Sequence, residues 1–199
     1  MDKAYHIKQL KELTDGFGLG ISDDAISKAI GFSRIKVYSK GDIIARTGDK
    51  TTTAGLVISG VIRSYYVDTD GNDITQYFAT EAGWCIDSGM IGFDEMQASW
   101  EALEDTTVML FDVKDMKELI YIDEKLKNIW ISVLESGMRY KVYRENGFLV
   151  ENATERYIAF RKRYPELSKR VPQRYIATYL GIAPESLSRI RTSLKENAC

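Results

Sequence analysis

The feature that most narrows the folds open to this chain lies near its end, at residues 171–194: VPQRYIATYLGIAPESLSRIRTSL. Ile176, Ala177 and Leu180 stand at i, i+1 and i+4, which predicts a short helix with one apolar face starting just after Pro172. Ala177 offers almost no side chain where a second helix would have to cross closely. Gly181 follows where the backbone must reverse, and a positive φ is cheapest for glycine. Ile182 should then enter the shared core, and Pro184 suits the first turn of a second helix. On that helix Leu187, Ile190 and Leu194 fall inward, while Glu185, Ser188 and Arg189 share an outward face. One residue works against this: Ala183, at the expected N-cap, costs about 1 kcal/mol relative to Ser or Thr.

The outward face carries a guanidinium, a carboxylate and a hydroxyl, and these groups match base edges in a DNA major groove. Arg can read guanine O6 and N7, Glu the exocyclic amine of cytosine, and Ser either donors or acceptors. The same residues would also make an ordinary helical hairpin with a solvated face. Charge favours DNA. From residue 151 to the end there are ten Lys and Arg against five Asp and Glu, a net of +5; the preceding 150 residues have 17 against 24, a net of −7, so the chain's −2 hides a basic end behind an acidic body.

With 199 residues the chain can build one large domain or two small ones. Its two cysteines, Cys85 and Cys199, cannot make a disulfide framework or hold a four-iron cluster alone, and His6 is the only histidine. Haem or metal sites built from several imidazoles are thereby excluded, as is a cupin-type metalloenzyme, and no Cys–His or Ser–His–Asp constellation can be assembled. Neither catalysis nor a metal or cofactor is expected. The mixed-polar N-terminus resembles no signal peptide, and no membrane span is visible, so a cytoplasmic protein is expected.

In chain order, residues 5–16 suggest a short helix through Ile7, Leu10 and Leu13, and a second follows Ser22 as N-cap ahead of Asp23 and Asp24. From Arg34 the period changes to two. RIKVYS, IIAR, LVISGVIRSYYV, ITQYFA, SWEAL and TVMLFDV alternate between glycine-bearing turns, with TGDKTTTAG as a loop, which suggests an antiparallel sandwich or jelly roll. DMKELI reads as a short helix and a long one starts near Asp123. On the long helix Leu126, Ile129, Val133, Ser136, Tyr140 and Tyr143 recur at steps of three and four, a heptad-like seam. This stripe could pack on the chain's own sheet; the reading favoured is a two-helix homodimer interface. A hinge at residues 151–154 leads to ERYIAFRKRYP, with Ile158 and Phe160 towards its apolar side and Arg161, Lys162 and Arg163 as a basic patch.

The barrel with its KGDII turn, the long helix, ATERYIAF and the 171–194 segment together resemble the Crp/Fnr family of bacterial transcription regulators. The resemblance covers essentially the whole chain and is most specific over residues 171–191. It implies an α+β fold: an N-terminal cyclic-nucleotide-binding-like jelly roll (1–122), a dimerisation helix (123–150) and a C-terminal winged-helix-like helix-turn-helix domain (151–199). The chain stops about five residues past the second helix, so a reduced wing is expected. Glu185, Ser188 and Arg189 are similar to the Fnr-type reading pattern, whereas the cyclic-AMP-receptor type has a further arginine where Pro184 stands here. Double-stranded promoter DNA and RNA polymerase are the implied partners. Arg189 and Glu185, assisted by Ser188, are expected on bases, and Gln173, Arg174, Ser186 and Arg191 on phosphates.

The departures from that pattern bear on the effector. Cyclic-AMP-binding members carry an arginine that pairs with the cyclic phosphate, whereas this chain has Gln97-Ala98-Ser99-Trp100. Loss of a charge-assisted pair of that kind costs on the order of several kcal/mol, so tight cyclic AMP binding is not expected. A different small-molecule effector would sit between barrel and long helix, lined by Asp87, Ser88, Gln97, Ser99 and Tyr140. The alternatives are a constitutive regulator without ligand and a cyclic-nucleotide-responsive sensor.

Overall fold

The structure, a computed structural model, describes residues 22–196; the helix expected at residues 5–16 lies outside them. Helix α1 (Asp23–Gly31) begins where Ser22 Oγ accepts the amide of Ala25 at 3.2 Å, and Asp23 and Asp24 occupy its first turn. Eight strands follow: β1 (Ser33–Tyr38), β2 (Ile43–Ala45), β3 (Thr53–Ser59), β4 (Ile62–Val67), β5 (Asp73–Ala79), β6 (Trp84–Cys85), β7 (Ser99–Ala102) and β8 (Thr106–Asp112). They form two four-stranded sheets, ordered β1-β8-β3-β6 and β2-β7-β4-β5. The recorded registers are antiparallel, with Ser33 opposite Phe111 and Leu56 opposite Met109. The alternation from Arg34 thus builds the sandwich it predicts. Two details differ: β3 starts at Thr53, inside the expected loop, and β6 is too short for a period to reveal it.

Six helices complete the described residues: α2 (Val113–Ile122), α3 (Glu124–Val150), α4 (Ala153–Arg163), α5 (Leu167–Arg170), α6 (Gln173–Leu180) and α7 (Pro184–Glu196). Asp112 caps α2 through the amides of Lys114 and Asp115, and Asp123 Oδ1 accepts the Leu126 amide at the start of α3. Asn152 and Glu155 form a reciprocal capping box on α4. The single turn α5 lies in PELSKR, a stretch whose sequence suggests only a connection. Among the described residues no helix is long and apolar enough to cross a membrane.

Two compact units emerge, and neither is a continuous stretch. The first holds the described residues up to Ser64 together with Phe78–Ser136; the second holds Tyr65–Tyr77 together with the residues from Gly137 onward. In the first unit Ile26, Ile30, Leu56, Met109, Phe111, Met116 and Leu119 share one core, and Leu126 and Trp130 of α3 pack against it. Arg63 is only 2% exposed and binds Glu101 through both Nε (2.8 Å) and Nη2 (2.7 Å), a buried pair between β4 and β7. Gly60 turns the chain between β3 and β4 at φ +104°; a Cβ there would stand 2.7 Å from Thr106 Cα.

The first half of α3 corrects an expectation. Leu126, first residue of the expected dimer seam, is applied to the first unit's own core, while Ile129 and Val133 are half-buried and Ser136 is exposed. Further along, Tyr140 and Tyr143 are engaged inside the second unit, as described below. Among the apolar side chains that α3 leaves exposed, Ile131, Leu134, Met138, Val142 and Leu149 lie on the opposite side of the cylinder. Leu126 thus belongs to the face turned to the first unit's core.

Candidate nucleic-acid interface

Helix α6 buries Tyr175, Ile176, Ala177, Tyr179 and Leu180 and ends at Gly181, whose φ of +66° and ψ of +37° are left-handed. The amide of Ile182 returns to Ala177 O at 3.0 Å, closing the turn. Pro184 opens α7, and the Leu187 amide binds Ala183 O at 3.1 Å, so the cap-poor alanine still supplies its carbonyl. Ala177 and Leu187 are both fully buried, as a close crossing of the two helices requires. The side chains of Ile190 and Leu194 are half-buried, and Ile182 likewise.

Exposure separates the seven expected DNA contacts. Glu185, Ser188 and Arg189 are exposed together on α7, and Gln173 and Arg174 at the start of α6; Ser186 and Arg191 are half-buried. Arg174 donates to the Tyr175 hydroxyl at 2.6 Å. In α4, Arg161, Lys162 and Arg163 are all exposed, as the expected basic patch requires, and Arg163 also lies over the rings of Tyr140 (4.8 Å) and Tyr143 (5.9 Å). Ile158, expected towards the apolar side, is 49% exposed, and Tyr157 takes the buried position with Phe160.

What holds the turn was not apparent from the sequence. Two guanidiniums cover the C-terminal carbonyls of α6: Arg144 donates to Tyr179 O at 2.6 Å and Arg156 to Leu180 O at 3.1 Å. These carbonyls lack intrahelical partners and carry the negative end of the helix dipole, so cations stabilise them. Arg144 also stacks over the Tyr179 ring at 3.6 Å and the Phe148 ring at 4.7 Å. The Tyr140 hydroxyl donates to the Tyr179 hydroxyl at 3.1 Å. Burial pushes the Tyr179 phenol up to about 12 and that of Tyr140 higher still, so both keep their protons at neutral pH. Tyr143, Arg144, Glu151 and Arg156 line a cleft of about 20 Å³, room for one water rather than an effector. The one sequence signal for this cage is the i, i+4 spacing of Arg144 and Phe148.

Of the five residues expected to line an effector pocket, Asp87, Ser88, Gln97 and Ser99 belong to the first unit, and Ser88 and Gln97 meet through a hydrogen bond. Ser88 and Ser99 are buried, Asp87 is half-buried and Gln97 is exposed. Ser88 Oγ accepts the Gln97 amide at 3.4 Å, the Gln97 side chain donates to Glu95 O at 2.9 Å, and Ser99 Oγ accepts the Thr47 amide at 3.1 Å. Tyr140 belongs to the second unit. One feature of this loop is unusual: Ile86, between buried Cys85 and Asp87, has φ +56°, a conformation that costs a residue of this kind about 1–3 kcal/mol. Among the described residues no cluster of three or more His, Cys, Asp or Glu could hold a metal ion.

A double-sheet barrel, a 27-residue helix and a helix pair turning on a left-handed glycine define the fold of a cyclic-nucleotide-binding-type barrel with a helix-turn-helix. Residues 35–123 match the family model of the cyclic nucleotide-binding domain. Among solved structures, FixK2 from Bradyrhizobium japonicum is 20% identical with a TM-score of 0.73, covering 83% of this chain and 86% of that one. A protein assigned to the Crp/Fnr family of transcriptional regulators, from Eubacterium rectale, is 17% identical with a TM-score of 0.69, covering 89% and 85%. The catabolite activator protein of Thermus thermophilus is 20% identical with a TM-score of 0.57, covering 90% and 86%. The chain therefore has the fold of Crp/Fnr transcription regulators, and none of these three names is that of an enzyme. Among curated proteins, no sequence matches.

Proposed function

We propose that this chain is a homodimeric, sequence-specific DNA-binding transcription regulator of the Crp/Fnr type. The observation that carries the reading is the exposed row of Glu185, Ser188 and Arg189 on a helix whose opposite side is anchored by buried Leu187. Arg189 and Glu185 meet base edges, Ser188 assists, and Gln173 and Arg174 meet phosphates, with Ser186 and Arg191 in lesser roles because of their partial burial. Residues 1–122 act as the sensor part, 123–150 as the pairing helix and 151–199 as the reading part.

Two copies pair through the exposed stripe of α3 from Ile131 to Leu149, in place of the seam opposite it. A symmetric pair presents two reading helices to half-sites about one helical turn apart. The effector, where one acts, is a small molecule other than cyclic AMP, since no arginine stands at 97–100 to meet a cyclic phosphate. The strained Ile86 supports the loop after β6 as the place where such a molecule acts.

The test is selection of bound duplexes from a random pool, which should yield a two-fold-symmetric site. On that site Arg189→Ala should cost about 1–3 kcal/mol and relax base preference, whereas Arg174→Ala should weaken cognate and random duplexes alike. Equal losses on both duplexes for both variants would falsify the assignment of roles.

A further inference from the structure

The second unit contains a stretch that chain order would not assign to it. Residues Tyr65–Tyr77, the distal halves of β4 and β5 with their turn, are compact with the region from Gly137 onward rather than with the barrel strands that precede and follow them. The attachment is specific. Thr75 is 1% exposed, and its amide donates to Thr178 Oγ1 at 3.3 Å, while the Thr178 hydroxyl donates to Thr75 Oγ1 at 2.9 Å. Beside it the Tyr77 ring meets Tyr140 edge-on with centroids 5.5 Å apart, and the Tyr140 hydroxyl lies 3.5 Å from Gln76 O and 3.1 Å from the Tyr179 hydroxyl.

Thr178 and Tyr179 sit in the last turn of α6, just before the glycine that sets the direction of α7. From the α3–α4 side that turn is held by Arg144 and Arg156; from the hairpin it is held by Thr75. Meanwhile Glu185, Ser188, Arg189, Gln173 and Arg174 remain exposed. The grip thus takes α6 by a side that leaves the reading residues bare.

We propose that the 65–77 hairpin is a clasp on the helix-turn-helix, with Thr75 and Thr178 as positioning residues that hold the reading helix in its DNA-competent direction. Without the clasp, α6 and the turn would sample more orientations, and binding would have to select one of them. The consequence for DNA rests on the proposed function; the clasp itself does not.

Three forms of the whole chain test it: Thr178→Val, which keeps the shape and removes the hydroxyl; Thr178→Ser, which keeps the hydroxyl; and Thr75→Cys/Thr178→Cys, oxidised to a cross-link. Hydrogen exchange at 73–77 and 173–180 should speed up together in Thr178→Val and return to wild-type rates in Thr178→Ser. On the selected duplex Thr178→Val should bind roughly 2- to 10-fold more weakly, since both hydrogen bonds to Thr75 are lost and part of that loss reaches the binding step, with an unchanged cognate-to-random ratio. The cross-linked protein should bind as tightly as wild type. The proposal is overturned by unchanged exchange at 73–77 in Thr178→Val, or by a loss of tenfold or more in the cross-linked form, which would make the clasped state the inactive one. If the wild-type protein bound no DNA, the function would fall and the exchange rates would still decide the clasp.

Discussion

Replacing Gly181 by alanine probes the reading unit at its tightest point. The position holds φ +66°, and left-handed backbone costs an L-residue about 1–2 kcal/mol. The new Cβ would also stand 2.8 Å from Phe148 Cε1, against an ordinary carbon–carbon contact of about 3.5–4.0 Å, so the ring must retreat by nearly 1 Å. Phe148 is 47% exposed and can swing outward, but it then loses Arg144 at 4.7 Å and Arg156 at 5.4 Å. Each such cation–π contact is worth about 0.5–1 kcal/mol at a site open to solvent. The total is about 2–4 kcal/mol of stability, divided between backbone and ring. Urea unfolding of Gly181→Ala in the wild-type and Phe148→Ala backgrounds separates the two: the cost should fall to about 1–2 kcal/mol once the ring is gone. Equal costs in both backgrounds would refute the ring contact, and a cost under about 0.5 kcal/mol would refute the backbone argument as well.

Met138→Lys places a charge in the exposed α3 stripe and should give a monomer by sedimentation with a native circular dichroism spectrum; a dimer of undiminished affinity would remove the stripe from the interface. Cys85 is fully buried, and burial pushes its thiol up, so in a Cys199→Ser background a thiol reagent should find no reactive sulfur until denaturant is added. Asp68 closes the β4–β5 turn by accepting the Asn72 amide at 2.8 Å and the Asp70 amide at 3.0 Å, and Asn72 foremost holds its carboxyl below the ordinary 3.8. Because the folded value is depressed, that support is present above the ordinary carboxylate range and is lost as pH falls through the lowered value. An NMR titration placing Asp68 at 3.8 or higher would contradict it.

Local chemistry made much of this fold readable from the chain. Ser22 and Asn152 cap as small polar residues do, Gly181 takes the left-handed backbone that costs glycine less than any other residue, and alternation from Arg34 marks the sandwich. These features depend on near neighbours in sequence. The orientation of α3 does not. It carries apolar residues on two opposed faces, and nothing in the spacing of Leu126, Val133 and Tyr140 tells which face meets the chain's own core. Arg63 was equally opaque: a long cation is expected at the surface, and only a tertiary partner, Glu101, holds it inside. The exposed row on α7 was legible because its inward neighbours are so plainly apolar. The support behind that row comes from Thr75, Arg144 and Phe148, at separations in sequence over which no period extends.

Because residues 65–77 complete the second unit, no single cut in the polypeptide releases that unit whole. A fragment beginning at residue 137 would present Thr178 and Tyr140 to water where the native chain gives them Thr75 and Tyr77. Exchange of DNA-reading ends between relatives, whether by recombination or by design, must therefore carry this strand pair along or refit it. Compatibility at Thr75 and Thr178, some hundred residues apart, then becomes the condition a chimaera has to meet.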